Sequence, residues 1–138
     1  MFSKEERSSF AYWFAHWCSY NMTALNLKCW KFKYLFHDIE KPWLMLLWKD
    51  YKRVQKWHRE HNRHHLEYKG KKGFDWEAMV IDWECSRFTK EASPRTACQE
   101  TFRLIDKYPE KKGLLLINVI LVLEKLGLME YPKGGFND

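Results

Sequence analysis

From Trp43 to His65 large side chains recur at steps of three and four: Trp43, Leu47, Tyr51, Val54, His58, His61, His65. That rhythm fits the turn of an α-helix and not a strand, whose side chains alternate every second residue. The same spacing returns along most of the sequence, punctuated at Gly70–Gly73, Ser93–Pro94, Pro109 and the tail from Pro132. It predicts helices over about 5–22, 25–36, 42–68, 75–88, from Ser93 onward, and over 109–127. Pro42 suits a first helical turn, Ser93 with Pro94 reads as an N-cap followed by the first helical position, and Pro109 opens the last helix. Leu114–Leu123 is rich in Ile and Val and also reads as a strand, but a lone strand has no partner, so helix is preferred. The expected fold class is all-α: one compact bundle of about six helices over 1–138, with a site-bearing core at 10–90 and C-terminal helices at 94–128.

A length of 138 residues suits one core. Apolar residues at 46% and charged residues at 30% exclude a disordered chain. Eight Trp imply an interior of large flat rings and leave some aromatic surface exposed. The net charge of +6 favours anionic partners. Cys18, Cys29, Cys85 and Cys98 form no C-x-x-C pair, which suits reduced thiols. The N-terminus lacks an apolar signal segment, and the longest apolar stretch, Leu114–Leu123, is too short for a bilayer. A cytoplasmic protein with no membrane partner is expected. There is no P-loop, no G-x-S-x-G and no zinc-knuckle pattern.

All six histidines fall between positions 16 and 65. On a continuous helix His58, His61 and His65 prolong the apolar stripe within an arc of roughly 60°, while His64 lies toward the flank. Buried imidazoles need partners, and a metal or an anion supplies them. The alternative is a solvated helix end beside Arg59 and Arg63. The stripe Leu27, Trp30, Tyr34 likewise continues into His37, and His37-Asp38 at a helix end offers one nitrogen and one carboxylate to the same cation. His16 sits in the apolar run Tyr12–Cys18, either as a ligand or as a core histidine bonded to a carbonyl. Asp82 shares a face with Ala78, Met79 and Cys85 and needs a cation, whether metal, Arg or Lys.

Taken together, His16, the H-D-I-x-K segment from His37 to Lys41, His61, His65 and Asp82 resemble the HD superfamily of metal-dependent phosphohydrolases. The H-D-I-x-K form is similar to that of its cyclic-dinucleotide phosphodiesterases. A closer resemblance is to a small domain family of bacteria and phages, patterned as a histidine, then H-D-x-x-K, N-x-H-H and D-W. Here these are His16, His37 to Lys41, Asn62 to His65, and Asp82-Trp83, so the resemblance covers about 10–90. It implies a helical bundle around one or two divalent metals. His16, His37, Asp38 and Asp82 would hold the first. Asp38 would bridge to a second on His61 and His65, with His58 or His64 as alternative ligands. Mixed nitrogen and carboxylate donors suit Mn, Fe, Co, Ni or Zn.

Three functions are therefore weighed. The first is hydrolysis of a nucleotide or another small phosphoester by a metal-activated water, with Asp38 and Lys41 as catalytic groups. Lys41, His58, Arg59, Arg63 and His64 would contact substrate, and the Lys69–Lys72 loop is read mainly as solvated surface. The second is a di-iron oxygenase on the same ligands. The third is a non-enzymatic, metal-containing module binding a partner or nucleic acid, which the charge and exposed aromatics support but which is not favoured.

Overall fold

The computed structural model describes residues 1–91 and 94–130 and is all-helical, as the spacing predicts. Among the described residues the α-helices are α1 (Phe10–Asn26), α2 (Glu40–Leu47), α3 (Tyr51–His61), α4 (Trp76–Ser86), α5 (Ala97–Lys107) and α6 (Lys112–Lys125). Short 3-10 turns cover Glu6–Ser8, Phe32–Phe36 and Pro109–Lys111. None of the helices described is long and apolar enough to cross a membrane.

The central element is α4. Seven of its residues are buried (Ala78, Met79, Val80, Ile81, Asp82, Glu84 and Cys85), so it packs on more than one side. Ala78, Ile81 and Cys85 meet Tyr20 and Ala24 of α1 and Tyr34 of the 3-10 turn. Val80 belongs to a second core, with Ala97, Cys98 and Leu104 of α5 and Leu115, Val119 and Leu123 of α6. Leu114–Leu123 is thus helical, and every fourth residue of it faces this core. The chain's beginning is tied down beside α4: Phe2 N–H donates to the Thr89 carbonyl at 2.8 Å, and Glu91 N–H to the Phe2 carbonyl at 2.9 Å.

Four expected boundaries are corrected. The first helix begins after Ser9, whose hydroxyl accepts from Tyr12 N–H at 3.1 Å, and continues to Asn26. The expected second helix is reduced to the 3-10 turn Phe32–Phe36. The expected helix over 42–68 is broken into α2 and α3, because Trp48 is extended and Asp50 caps a new helix by accepting from Lys52 N–H at 3.0 Å. Pro42 does sit in the first turn of α2, where its missing N–H costs nothing. The break abolishes the continuous stripe: Trp43 and Leu47 are exposed, while Val54 and His58 are buried. The fifth helix begins at Ala97, with Thr96 and Gln99 forming a reciprocal capping box, so Pro94 lies before it and not at its first position. The expected cap Ser93 and the tail from Pro132 lie outside the described residues. Pro109 opens the 3-10 turn that leads into α6.

Candidate metal centre

Each side chain of the site is delivered by a local feature. His16 is on the buried face of α1, in register with Tyr12 and Tyr20, and Asp82 is on the facing side of α4. His37 and Asp38 occupy the junction between the 3-10 turn and α2, where Asp38 adopts φ +55°. Aspartate tolerates this left-handed conformation better than most residues. The Asp38 carbonyl anchors the junction, accepting from Trp13 Nε1 at 2.8 Å and from Lys41 N–H at 3.0 Å. α3 ends at His61 because the Asn62 amide donates to the His58 carbonyl at 2.7 Å and to Glu40 Oε1 at 2.9 Å. The chain then turns, His65 N–H donating to the Asn62 carbonyl at 3.2 Å, and brings His64 and His65 back toward His58.

Two clusters result. In the first, His16 Nε2 lies 2.8 Å from Asp82 Oδ1 and 3.2 Å from His37 Nε2. His37 Nε2 lies 3.2 Å from Asp82 Oδ1 and 3.4 Å from Asp38 Oδ1, and Asp38 Oδ2 is 3.8 Å from His16 Nε2. In the second, His58 Nε2 lies 2.9 Å from His65 Nε2. Asp38 Oδ1 is 3.1 Å from both His58 Nε2 and His64 Nε2, so one carboxylate touches both clusters. Within each cluster the donor atoms all lie within 4.8 Å of one another.

This donor set fits divalent metal ions. Ligands ~2.1 Å from one ion and subtending roughly 90–110° are themselves ~3.0–3.4 Å apart, close to the separations found here. Asp38 Oδ1 and His64 Nε2 are buried and, despite their 3.1 Å separation, neither has a hydrogen-bond partner among the described residues. Buried polar atoms left in this state are costly, and a cation between them removes the cost. His58 Nδ1 is hydrogen-bonded to Glu40 Oε1, which holds that ring with Nε2 turned to the cluster, the usual support of a ligating histidine. His37 is clamped by the Tyr20 ring stacked on it at 3.6 Å.

The electrostatics favour the ligand form of the first cluster. Burial pushes the His37 imidazole down to about 4, against the pull of Asp38 and Asp82, so it is neutral at pH 7. Burial would raise the two aspartates, but His37, Lys41 and His58 hold Asp38, and His16 and His37 hold Asp82, well below the ordinary carboxylate range. In the second cluster burial and His64 push His65 well down. Burial also works to lower His58, yet Asp38 and Glu40 outweigh it and raise this imidazole.

No family model, curated protein or solved structure matches the chain. The site therefore speaks through its own geometry.

Of the residues expected to bind metal, His16, His37, Asp38 and Asp82 are together, and His65 is in the second cluster. His61 is in neither. It is exposed at the end of α3, its ring stacked on Trp57 at 4.1 Å and its Nδ1 2.8 Å from the Trp57 carbonyl. His58 and His64, expected as substrate contacts or as alternative ligands, stand with His65 in the second cluster instead. Lys41 points to a carboxylate rather than to an open phosphate site: its Nζ is 3.3 Å from Asp38 Oδ2, and the buried pair keeps the ammonium charged. Arg63 is exposed and donates through Nε to the Gly73 carbonyl at 2.8 Å, away from the clusters. Arg59 lines the cleft that leads to the site, a cavity of about 360 Å³ whose wall includes His65 and Asp82.

Sequence reasoning passed over Glu40 and Asn62, although both lie inside the quoted segments H-D-I-E-K and N-R-H-H. Their signal was available, since a ligating imidazole needs a partner for its second nitrogen. The cleft residues of α5 left no such trace, because its cations are scattered along the chain.

Proposed function

We propose that the protein is a metal-dependent phosphohydrolase of the HD type, acting on a nucleotide or another small phosphoester. The observation that carries this reading is Asp38, a single buried carboxylate whose Oδ1 lies within 3.4 Å of His37, His58 and His64 and so joins two donor clusters. His16, His37, Asp38 and Asp82 would hold one ion, and Asp38 with His58, His64 and His65 a second. The donors suit Mn, Fe, Co, Ni or Zn. Ions bound there would supply Lewis acidity toward a phosphoryl oxygen and a hydroxide nucleophile near neutral pH.

The chain's own groups have separate tasks. Glu40 fixes the tautomer of His58, and Lys41 offsets the charge of Asp38 without occupying a donor position. Arg59 reaches the cleft, where a guanidinium can take two phosphate oxygens at once. The cationic wall of the cleft favours phosphoester chemistry over an oxygenase, whose substrate need carry no charge.

The test is elemental analysis of protein purified without chelator, followed by a panel of nucleotides, cyclic dinucleotides and simple phosphoesters with added Mn, Co or Ni. Hydrolysis by wild type and its loss in Asp38→Asn are expected; asparagine keeps the tolerance for φ +55° while removing the charge. Bound iron with oxygen uptake and no phosphoester turnover would move the assignment to the oxygenase. Protein free of any bound metal would end the reading.

A further inference from the structure

Seven lysine and arginine side chains line the cleft in front of His65 and Asp82, against the three carboxylates Glu67, Asp82 and Glu100. Two of the seven are already paired: Arg87 lies 3.0 Å from Glu84, and Arg103 lies 2.6 Å from Glu100. Among the described residues the other five (Arg7, Arg59, Lys90, Arg95 and Lys107) have no carboxylate within ion-pair distance. Arg7 is the most telling, because its Nε is buried and without a hydrogen-bond partner among the described residues. The contact between Phe2 and Thr89–Glu91 holds the segments bearing Arg7 and Lys90 side by side. Like charges gathered in one concavity repel unless an anion joins them.

The charge and its extent constrain that anion. One phosphate group carries about −1.5 to −2 charges, so a lone phosphate at the metal clusters cannot balance five unpaired cations. Arg95 precedes α5 and Lys107 ends it, so the cationic wall extends along this helix beyond the floor formed by His65 and Asp82. A volume of about 360 Å³ admits a small molecule and not a folded partner. We infer that the cleft binds a small molecule carrying two or more linked phosphate groups, with Arg7, Lys90, Arg95 and Lys107 holding the phosphates that lie away from the metal clusters.

This rests on the phosphohydrolase reading for its place in a reaction, but its test does not need turnover. Binding of orthophosphate, tripolyphosphate and adenosine triphosphate is measured on protein as purified, for wild type, for Arg95→Gln/Lys107→Gln and for Lys71→Gln/Lys72→Gln. Both double variants remove two positive charges from exposed positions, and only the first alters the cleft. Because tripolyphosphate sequesters metal to the same degree for each protein, comparison among variants isolates the cleft. The expected result is tripolyphosphate binding at least about tenfold tighter than orthophosphate, weakened about tenfold in the cleft variant and less than about twofold in the loop variant. A further gain for adenosine triphosphate would assign the source to a nucleotide, and equality to an inorganic chain. Equal affinity for one and three phosphates, or equal losses in the two variants with thermal melting unchanged, would overturn the inference. Selective binding without hydrolysis of any phosphoester would overturn the hydrolase reading alone.

Discussion

The two donor clusters share Asp38 but are built on different principles. The first spans the tertiary structure: His16 and Asp82 are 66 residues apart in sequence and meet only because α1 packs on α4. The second is nearly local, with His58 and His65 separated by seven residues, one helix end and one turn. The first draws its precision from the core of Tyr20, Ala24, Ile81 and Cys85, whereas the second draws it from hydrogen bonds of Glu40 and Asn62. A site held by packing is as rigid as that packing. A site held by a turn can order or open with less of the molecule involved.

Asp38→Asn should have the largest effect, since it removes the one ligand common to both clusters. Metal content should fall at both, and activity should drop by more than the roughly 10–100-fold that outer-shell partners are worth. Asp82→Asn should empty only the first cluster and His64→Ala only the second. Metal counts that fall together in all three variants would show that the clusters are one cooperative unit.

Core truncation sharpens the contrast between packing and turn. Ile81→Ala and Leu123→Ala remove fully buried side chains from the two separate cores, and each should cost about 2–5 kcal/mol, read from urea midpoints. Ile81→Ala should also weaken metal at the first cluster, because Ile81 lies in the core that seats α1 on α4. Leu123→Ala should leave affinity there unchanged.

Acidification should separate the clusters too. His37 is held at about 4, so this ligand of the first cluster remains deprotonated as pH falls below 7, whereas His58 is raised and takes up a proton that a metal must displace. Metal should therefore leave the second cluster first as pH is lowered from 8, followed by metal analysis at each step. In the metal-free protein the signs differ. The depressed His37 makes stability fall as pH drops from about 6.5, its unfolded value, toward about 4. The raised His58 contributes stability below about 6.5 that is lost as pH rises through its folded value. The smallest effect is expected for His61→Ala, within about 0.5 kcal/mol in stability and without loss of metal from either cluster.

Much of this was legible in the chain. The three-and-four spacing dictated helices, including Leu114–Leu123, because only a helix returns side chains to one face at that interval. His16, His37 and Asp82 could be singled out because each is a polar residue on an otherwise apolar face, where a lone polar group is costly, and Asp38 because it adjoins His37 and offers a carboxylate to the same cation. The long stripe from Trp43 to His65 misled for a physical reason. Periodicity records which faces a helix would have, and Asp50 and Asn62 offered the backbone competing hydrogen bonds that ended it on both sides of α3.

What only the tertiary structure decided is which histidines converge. The turn after Asn62 swings His64 inward and leaves His61 stacked on Trp57, a choice that no helical wheel contains. The same holds for the cleft, whose cations come from the N-terminal segment, α3, the stretch after α4, and α5. A sequence carries local preference and face periodicity directly, since both act within a few residues. The meeting of His16 with Asp82, or the gathering of Arg7, Lys90 and Lys107, depends on how helices pack, and that is set by the summed burial of the whole chain.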